Sequence, residues 1–266
     1  MKKLWSLACA AASAATVTSL LSPGVAAAAP ATHTETFDSP GRTSFTVPEG
    51  VHSIQLLALG GGGGGGGGGG NSGGSLSGGG GGGGGSSAAV MCSFAVKGGE
   101  KITIDVGKGG AGGNGGWRSN GAIGENGSPS VVHVPQGGTT KVAYAANGGW
   151  AWGGEQSGVF GSGDGGGHGT GGSATDSRCE GTDVKRVSGH NGERGADGSR
   201  NHTGVGGNFG APAAYPDTCR GAGAGGYGGE GGGNHGDPTP HQESAKAGSA
   251  GDGGCVVLTY TVATAS

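Results

Sequence analysis

The side chains best suited to chemistry in this sequence are a pair of tryptophans, a concentration of basic residues and a set of cysteines. Trp150 and Trp152 stand in Gly148-Gly-Trp-Ala-Trp-Gly-Gly154, with no bulky neighbour to shield them. In an extended chain, residues two apart share a face, so both rings point the same way. Bare aromatic faces on a scaffold suit sugar rings or a partner protein. The competing reading lays the rings flat on glycine backbone as a simple cover, and Trp117 and Tyr227 stand in similar surroundings. Arg178, Lys185, Arg186, Arg194 and Arg200 concentrate in the polar segment 173–203 of an otherwise acidic chain. There they either present donors to an anionic or glycan partner, on a loop held by a Cys179–Cys219 disulfide, or keep a glycine-rich protein soluble.

Catalytic and metal motifs give weaker signals. Gly-x-Gly-x-x-Gly occurs from Gly107, but with 74 Gly in 266 residues chance alone supplies about six such matches. No Gly-Lys-Ser/Thr completes a phosphate loop. Gly161-Ser162-Gly163 and Gly248-Ser249 lack the strand–turn–helix setting and the base that a nucleophilic serine needs. Asp164, Asp176, Asp183, Asp197 and Asp252 do not recur at the nine-residue period of calcium-binding repeats. His235, Asp237, His241 and Glu243 form a loose metal-capable group that ordinary surface-loop residues explain equally well. The expectation is a non-enzyme with no catalytic residue, no metal and no cofactor.

Composition narrows the scaffold that must hold these side chains. With 74 Gly, 10 Pro and only 12% charged residues, the chain is no ordinary helical or α/β enzyme domain and no coiled coil. Collagen is excluded because glycine does not hold every third position throughout. A net charge of −3 offers no basic patch for nucleic acid and no polybasic membrane tether. Residues 1–29 read as a signal peptide: Lys2 and Lys3, then an Ala/Leu-rich stretch, then small residues ending near Ala27 or Ala29. No later stretch reaches the roughly 18 apolar residues of a membrane span. The expected product is a secreted, extracellular protein with one domain over 30–266.

Export sets the cysteine chemistry. Cys9 leaves with the leader, and Cys92, Cys179, Cys219 and Cys255 are expected to form two disulfides. Cys179 and Cys219 lie in polar insertions, at 173–203 and 211–220, while Cys92 and Cys255 lie in strand-like runs. Pairing like with like is the favoured connectivity of the three that are open.

Short apolar runs at 44–47, 53–59, 89–96, 101–106, 130–134, 141–145 and 255–262 read as strands. Several alternate, as Ile102/Ile104/Val106 do, and Gly, Pro or Asn bounds them. No window carries a helical stripe, so an all-β sandwich or jelly roll is predicted. Between the runs stand glycine tracts, eleven unbroken at 60–70 and eight at 78–85. Gly-rich stretches recur at 107–116, 147–172, 204–210, 221–236 and 248–254. Flexible linkers are the bland reading. The alternative is a set of packed, extended polyglycine helices with three residues per turn, whose backbone groups bond to neighbouring strands.

The segment Phe45-Thr-Val-Pro-Glu-Gly-Val-His-Ser-Ile-Gln-Leu-Leu-Ala-Leu-Gly60 running into polyglycine resembles the opening of bacterial and phage glycine-rich domains. Residues 85–96 with Lys97-Gly-Gly-Glu-Lys-Ile-Thr-Ile-Asp-Val-Gly-Lys-Gly-Gly110 are similar to their next strands, and 141–149 and 251–260 to the later ones. The order also resembles the glycine-rich extracellular region of the anaplastic lymphoma kinase and leukocyte tyrosine kinase receptors. The resemblance covers about 36–262. It implies a jelly-roll-like, tumour-necrosis-factor-like β-sandwich with inserted polyglycine II helices and no catalysis. The polar insertions depart from the family pattern. The expected function is binding or adhesion to a protein or glycan on a cell surface. The alternatives are a matrix component that self-associates through its glycine tracts, an extracellular inhibitor, or an ice-binding protein.

Overall fold

A computed structural model describes residues 31–73, 75–200, 202–212, 217–233 and 244–262. The leader and the His235–Glu243 group therefore lie outside the described residues. The alternating runs form strands, and the strands form two antiparallel sheets. These are β1 (Ala31–Phe37), β2 (Gly41–Thr46), β3 (Ser53–Leu59), β4 (Ala89–Ala95), β5 (Lys101–Val106), β6 (Ser130–Gln136), β7 (Thr139–Ala145), β8 (Arg178–Cys179), β9 (Thr182–Val187) and β10 (Cys255–Val262). One sheet runs β1-β10-β3-β4-β9 and the other β2-β5-β6-β7-β8. Alternation places Leu56, Ala58, Val90, Phe94, Ile102, Ile104, Val132, Ala143, Val256 and Leu258 in one core between them. The protein is thus an all-β sandwich, as expected. The β6–β7 hairpin turns on Gly137 and Gly138, both at positive φ (57° and 86°), as a type I′ turn requires.

Both cysteine pairs are formed, but not like with like. Cys92 on β4 bonds Cys179 on β8, and Cys219 bonds Cys255 on β10. The first bridge ties one sheet to the other across the core, because β4 and β8 lie on opposite sheets. The second pins the short 3₁₀ turn Asp217–Cys219 to the outer face of β3 and β10, over Leu57, Leu59 and Val257.

The glycine tracts are ordered. Every residue from 61 to 70 and from 77 to 86 both donates and accepts a backbone hydrogen bond, at 2.8–3.2 Å. The partners repeat with period three. Gly61, Gly64, Gly67 and Gly70 donate to Ser128, Glu125, Ala122 and Ser119, while Gly62, Gly65 and Gly68 donate to Asp252, Ser249 and Lys246. Gly63, Gly66 and Gly69 donate to Gly85, Gly82 and Gly79 of the second tract. The three carbonyl rows accept from 110/113/116, 148/151/154/157 and 226/229/232. A helix with three residues per turn and six neighbours is the unit of a hexagonal array.

The second tract is likewise surrounded, by 60–70, 149–155, 163–172, 190–196, 204–210 and 226–232. Two adjacent members of a hexagonal array share two neighbours, which leaves a ring of eight around them. The hydrogen bonds close that ring in the order 148–157, 119–128, 107–116, 245–252, 224–232, 204–210, 189–198, 163–172. The bundle is therefore three rows, of three, four and three helices, among the described residues. Each central glycine takes part in two hydrogen bonds, together about 1–3 kcal/mol. That offsets an ordering cost of about 1–2 kcal/mol per residue only when both bonds are made.

The ten helices are five up–down pairs, each interrupting the strand order of the sandwich. The pairs are 60–85 between β3 and β4, 107–128 between β5 and β6, and 148–172 between β7 and β8. After β9 comes 189–210, and 224–252 precedes β10. Buried Ser130 joins bundle to sandwich: its hydroxyl donates to the Leu59 carbonyl at 2.6 Å and accepts from the Gly107 N–H at 2.9 Å.

Candidate functional site

Because each pair leaves the sandwich and returns, all its turns fall at the far end of the bundle. Among the described residues four turns gather there, formed by 71–73 with 75–77, 117–118, 158–162, and 199–200 with 202–203. Hydrogen bonds tie several together, with Ser77 N–H donating to Ser199 O, Gly163 N–H to Ser77 O, and the Ser157 hydroxyl to Leu76 O. These turns carry exposed apolar side chains. Phe160 is 99% exposed and Val159 70%, on a turn closed by Gly158 N–H to Gly161 O. Trp117 is 60% exposed with the Arg118 guanidinium over its ring at 5.7 Å, and Arg118 holds φ +54°, a conformation rare for non-glycine residues.

The sides of the bundle present the second group of aromatics. Trp150 and Trp152 do not share a face, because the segment has period three and not two. The rings instead pack edge to face, with centroids 4.8 Å apart and planes at 70°. Trp152 is exposed and Trp150 half-buried. The Trp152 ring edge lies over Gly167 of the adjacent helix, so it both covers glycine backbone and faces solvent. On the opposite side Phe209 and Tyr227 form a similar edge-to-face pair at 4.7 Å.

Ring helices leave some N–H groups pointing outward, and side chains of adjacent helices take them. Asn126 and Asn120 accept from Trp150 and Gln156 N–H, and Asn191 and Asp197 accept from Gly171 and Gly165 N–H. In each case the acceptors are two helical turns apart. Asp197 also pairs with Arg194 at 2.7 Å, and these two bonds hold its carboxyl below the usual carboxylate range, the Gly165 N–H contributing most.

The basic residues of 173–203 are not gathered on one disulfide-held loop, since Cys179 does not pair with Cys219. Arg178 lies on β8 over the Tyr144 ring at 5.5 Å. Lys185 and Arg186 lie on edge strand β9, and Lys185 lines a shallow cavity with Gln55, Met91, Asp183 and Thr259. Arg194 is on a ring helix and Arg200 at the far turn. The reason is a local triplet: Gly189, Gly192, Gly195 and Gly198 recur every third residue, and a Cβ at Gly192 would sit 2.1 Å from the Gly83 carbonyl oxygen. This register makes 189–198 a bundle helix. The exposed Val159-Phe160 pair and Ile123 went unnoticed in the sequence because single apolar residues among glycines carry no periodic signal.

The order of strands and tracts is that of a known family, described as a glycine-rich domain, which matches residues 36–261. The chain belongs to the glycine-rich domain family. No functionally curated protein matches it. For this family member the two disulfides are compatible with an extracellular setting. No helix among the described residues is long and apolar enough to cross a membrane.

Proposed function

We propose that this glycine-rich domain protein is a secreted, non-enzymatic binding or adhesion protein. The sandwich and bundle act as a rigid mount, and the four described far turns make the recognition end. The observation that carries this reading is the display of Phe160, Val159 and Trp117 on turns that a hydrogen-bonded lattice holds at one end. Recognition residues favour loops mounted on rigid elements, and ordered loops lose little entropy on binding. Self-association through the long glycine tracts is less well supported, because residues 61–70 and 77–86 use every donor and acceptor within the chain. The mature protein, incubated with whole cells, purified polysaccharides and itself, should bind cells and remain monomeric. Phe160→Ser with Trp117→Ala should reduce cell binding at least tenfold while the thermal transition stays unchanged. Self-assembly without cell binding would reverse the choice.

A further inference from the structure

We propose that the exposed seam between the 148–157 and 163–172 helices binds a neutral saccharide chain, with the Trp152 indole stacked on one pyranose ring. The inference deepens the adhesion reading and rests on it. Backbone bonds set the two helices in register: Gly149 N–H to Thr170 O, Trp152 N–H to Gly167 O, and Glu155 N–H to Asp164 O. Trp152 therefore sits midway along the seam. One helical turn away, about 9 Å, lies Thr170, whose hydroxyl is 2.6 Å from where a Gly149 Cβ would be. One turn the other way stand Glu155 and Asp164, set side by side by their backbone bond. All three flanking side chains are exposed, and among the described residues none hydrogen-bonds to another side chain.

The ring is ready to bind. It is 57% exposed, yet its edge rests over Gly167 and Trp150 packs against it, so little freedom is lost on stacking. One or two rings in a polar row are too small an apolar area for a protein interface, which needs about 800 Å² per partner around a central cluster. They match a pyranose, which has a flat C–H face and a rim of hydroxyls. The hydroxyls would donate to Glu155 and Asp164 and exchange hydrogen bonds with Thr170. The negative charges of Glu155 and Asp164 repel sulfated, uronic or phosphorylated chains, which points to a neutral one.

The test is binding of the folded mature protein to immobilised neutral and acidic polysaccharides, followed by titration calorimetry with neutral oligosaccharides. Trp152→Ala should lower neutral-chain affinity at least tenfold, Trp152→Phe should restore part of it, and Thr170→Val should weaken it severalfold with the melting temperature unchanged. Phe160→Ser should leave it intact. Neutral-chain binding that survives Trp152→Ala, or is lost only in Phe160→Ser, overturns the Trp152 site while leaving adhesion standing. Preference for acidic chains overturns the assigned class. Cell binding without any saccharide binding overturns this inference alone; absence of both overturns the adhesion reading as well.

Discussion

Gly66 shows how tightly single positions are constrained. A Cβ there would lie 2.0 Å from the Trp152 carbonyl oxygen, a group already bonded to the second tract through Gly82 N–H. Backbone on every side leaves nothing that can swing away, the same crowding that demands glycine at the collagen axis. Gly66→Ala should lower the melting temperature by many degrees, at a cost of about 3 kcal/mol or more. Gly161→Ala, which meets open space, should stay within about 0.5 kcal/mol of the parent. Two carboxyls give opposite pH signatures. The lowered Asp197 contributes stability above the ordinary aspartate pKa, and that contribution is lost as pH falls through its depressed native value. Asp197→Asn keeps an acceptor for Gly165 N–H, and should flatten the acid limb of a melting-temperature profile. Asp252 is raised by burial, so its stability is full below the ordinary aspartate pKa and lost as pH rises through the raised one. Asp252→Asn should therefore raise the melting temperature at neutral pH, with the gain fading in acid.

At the scale of elements, the bundle helix is stable only as part of the array. An isolated polyglycine helix has no internal hydrogen bonds, so each one depends on its neighbours. Replacing 180–203 by a Gly-Ser linker removes β9 and the 189–198 helix. It strands the N–H groups of Gly80, Gly83 and Ser86 and the carbonyls of Gly163, Gly166, Gly169 and Gly172. The replacement should lower the melting temperature and release amide-exchange protection across 78–86. In the parent, amides of 61–70 and 77–86 should exchange far more slowly than those of Gly137 and Gly138 in the hairpin turn. Coil-like exchange in the tracts would refute the array.

The whole molecule is a sandwich whose connections have been drawn out into a lattice. Its two disulfides act at different places. Cys92–Cys179 spans 87 residues and clamps sheet to sheet, whereas Cys219–Cys255 anchors the crossing between the fourth and fifth pairs. Removing the first by Cys92→Ala with Cys179→Ala should cost about 2–5 kcal/mol in denaturant titrations, because the crosslink closes a long loop of the unfolded chain. A variant as stable as the parent would show that the core alone holds the sheets together. Binding at the far end and at the Trp152 seam should survive that loss below the lowered melting temperature, since neither surface touches the bridge.

How much of this was legible follows from where each signal resides. β3, β5 and β10 could be read to their ends because one face of each is apolar and buried, and alternation records that. β1 and β9 escaped because they are edge strands, exposed along nearly their whole length, with no buried face to leave a pattern. The tracts announced that side chains were excluded from 60–70 and 78–85, but not which segments would surround them. The helix at 189–198 was hidden for the same reason: its glycine triplet is faint against the chain's background and matters only beside Gly80 and Gly83. The sequence by itself determined an all-β sandwich and two disulfides, which rest on periodicity and an even number of cysteines, and it left packed glycine helices open beside flexible linkers. Only the tertiary structure decided which cysteines meet, that Trp150 and Trp152 lie a third of a turn apart, and which turns share an end. Each of those depends on segments far apart in the chain, brought together by backbone hydrogen bonds that every residue but proline can make and whose partners therefore leave little mark in the sequence.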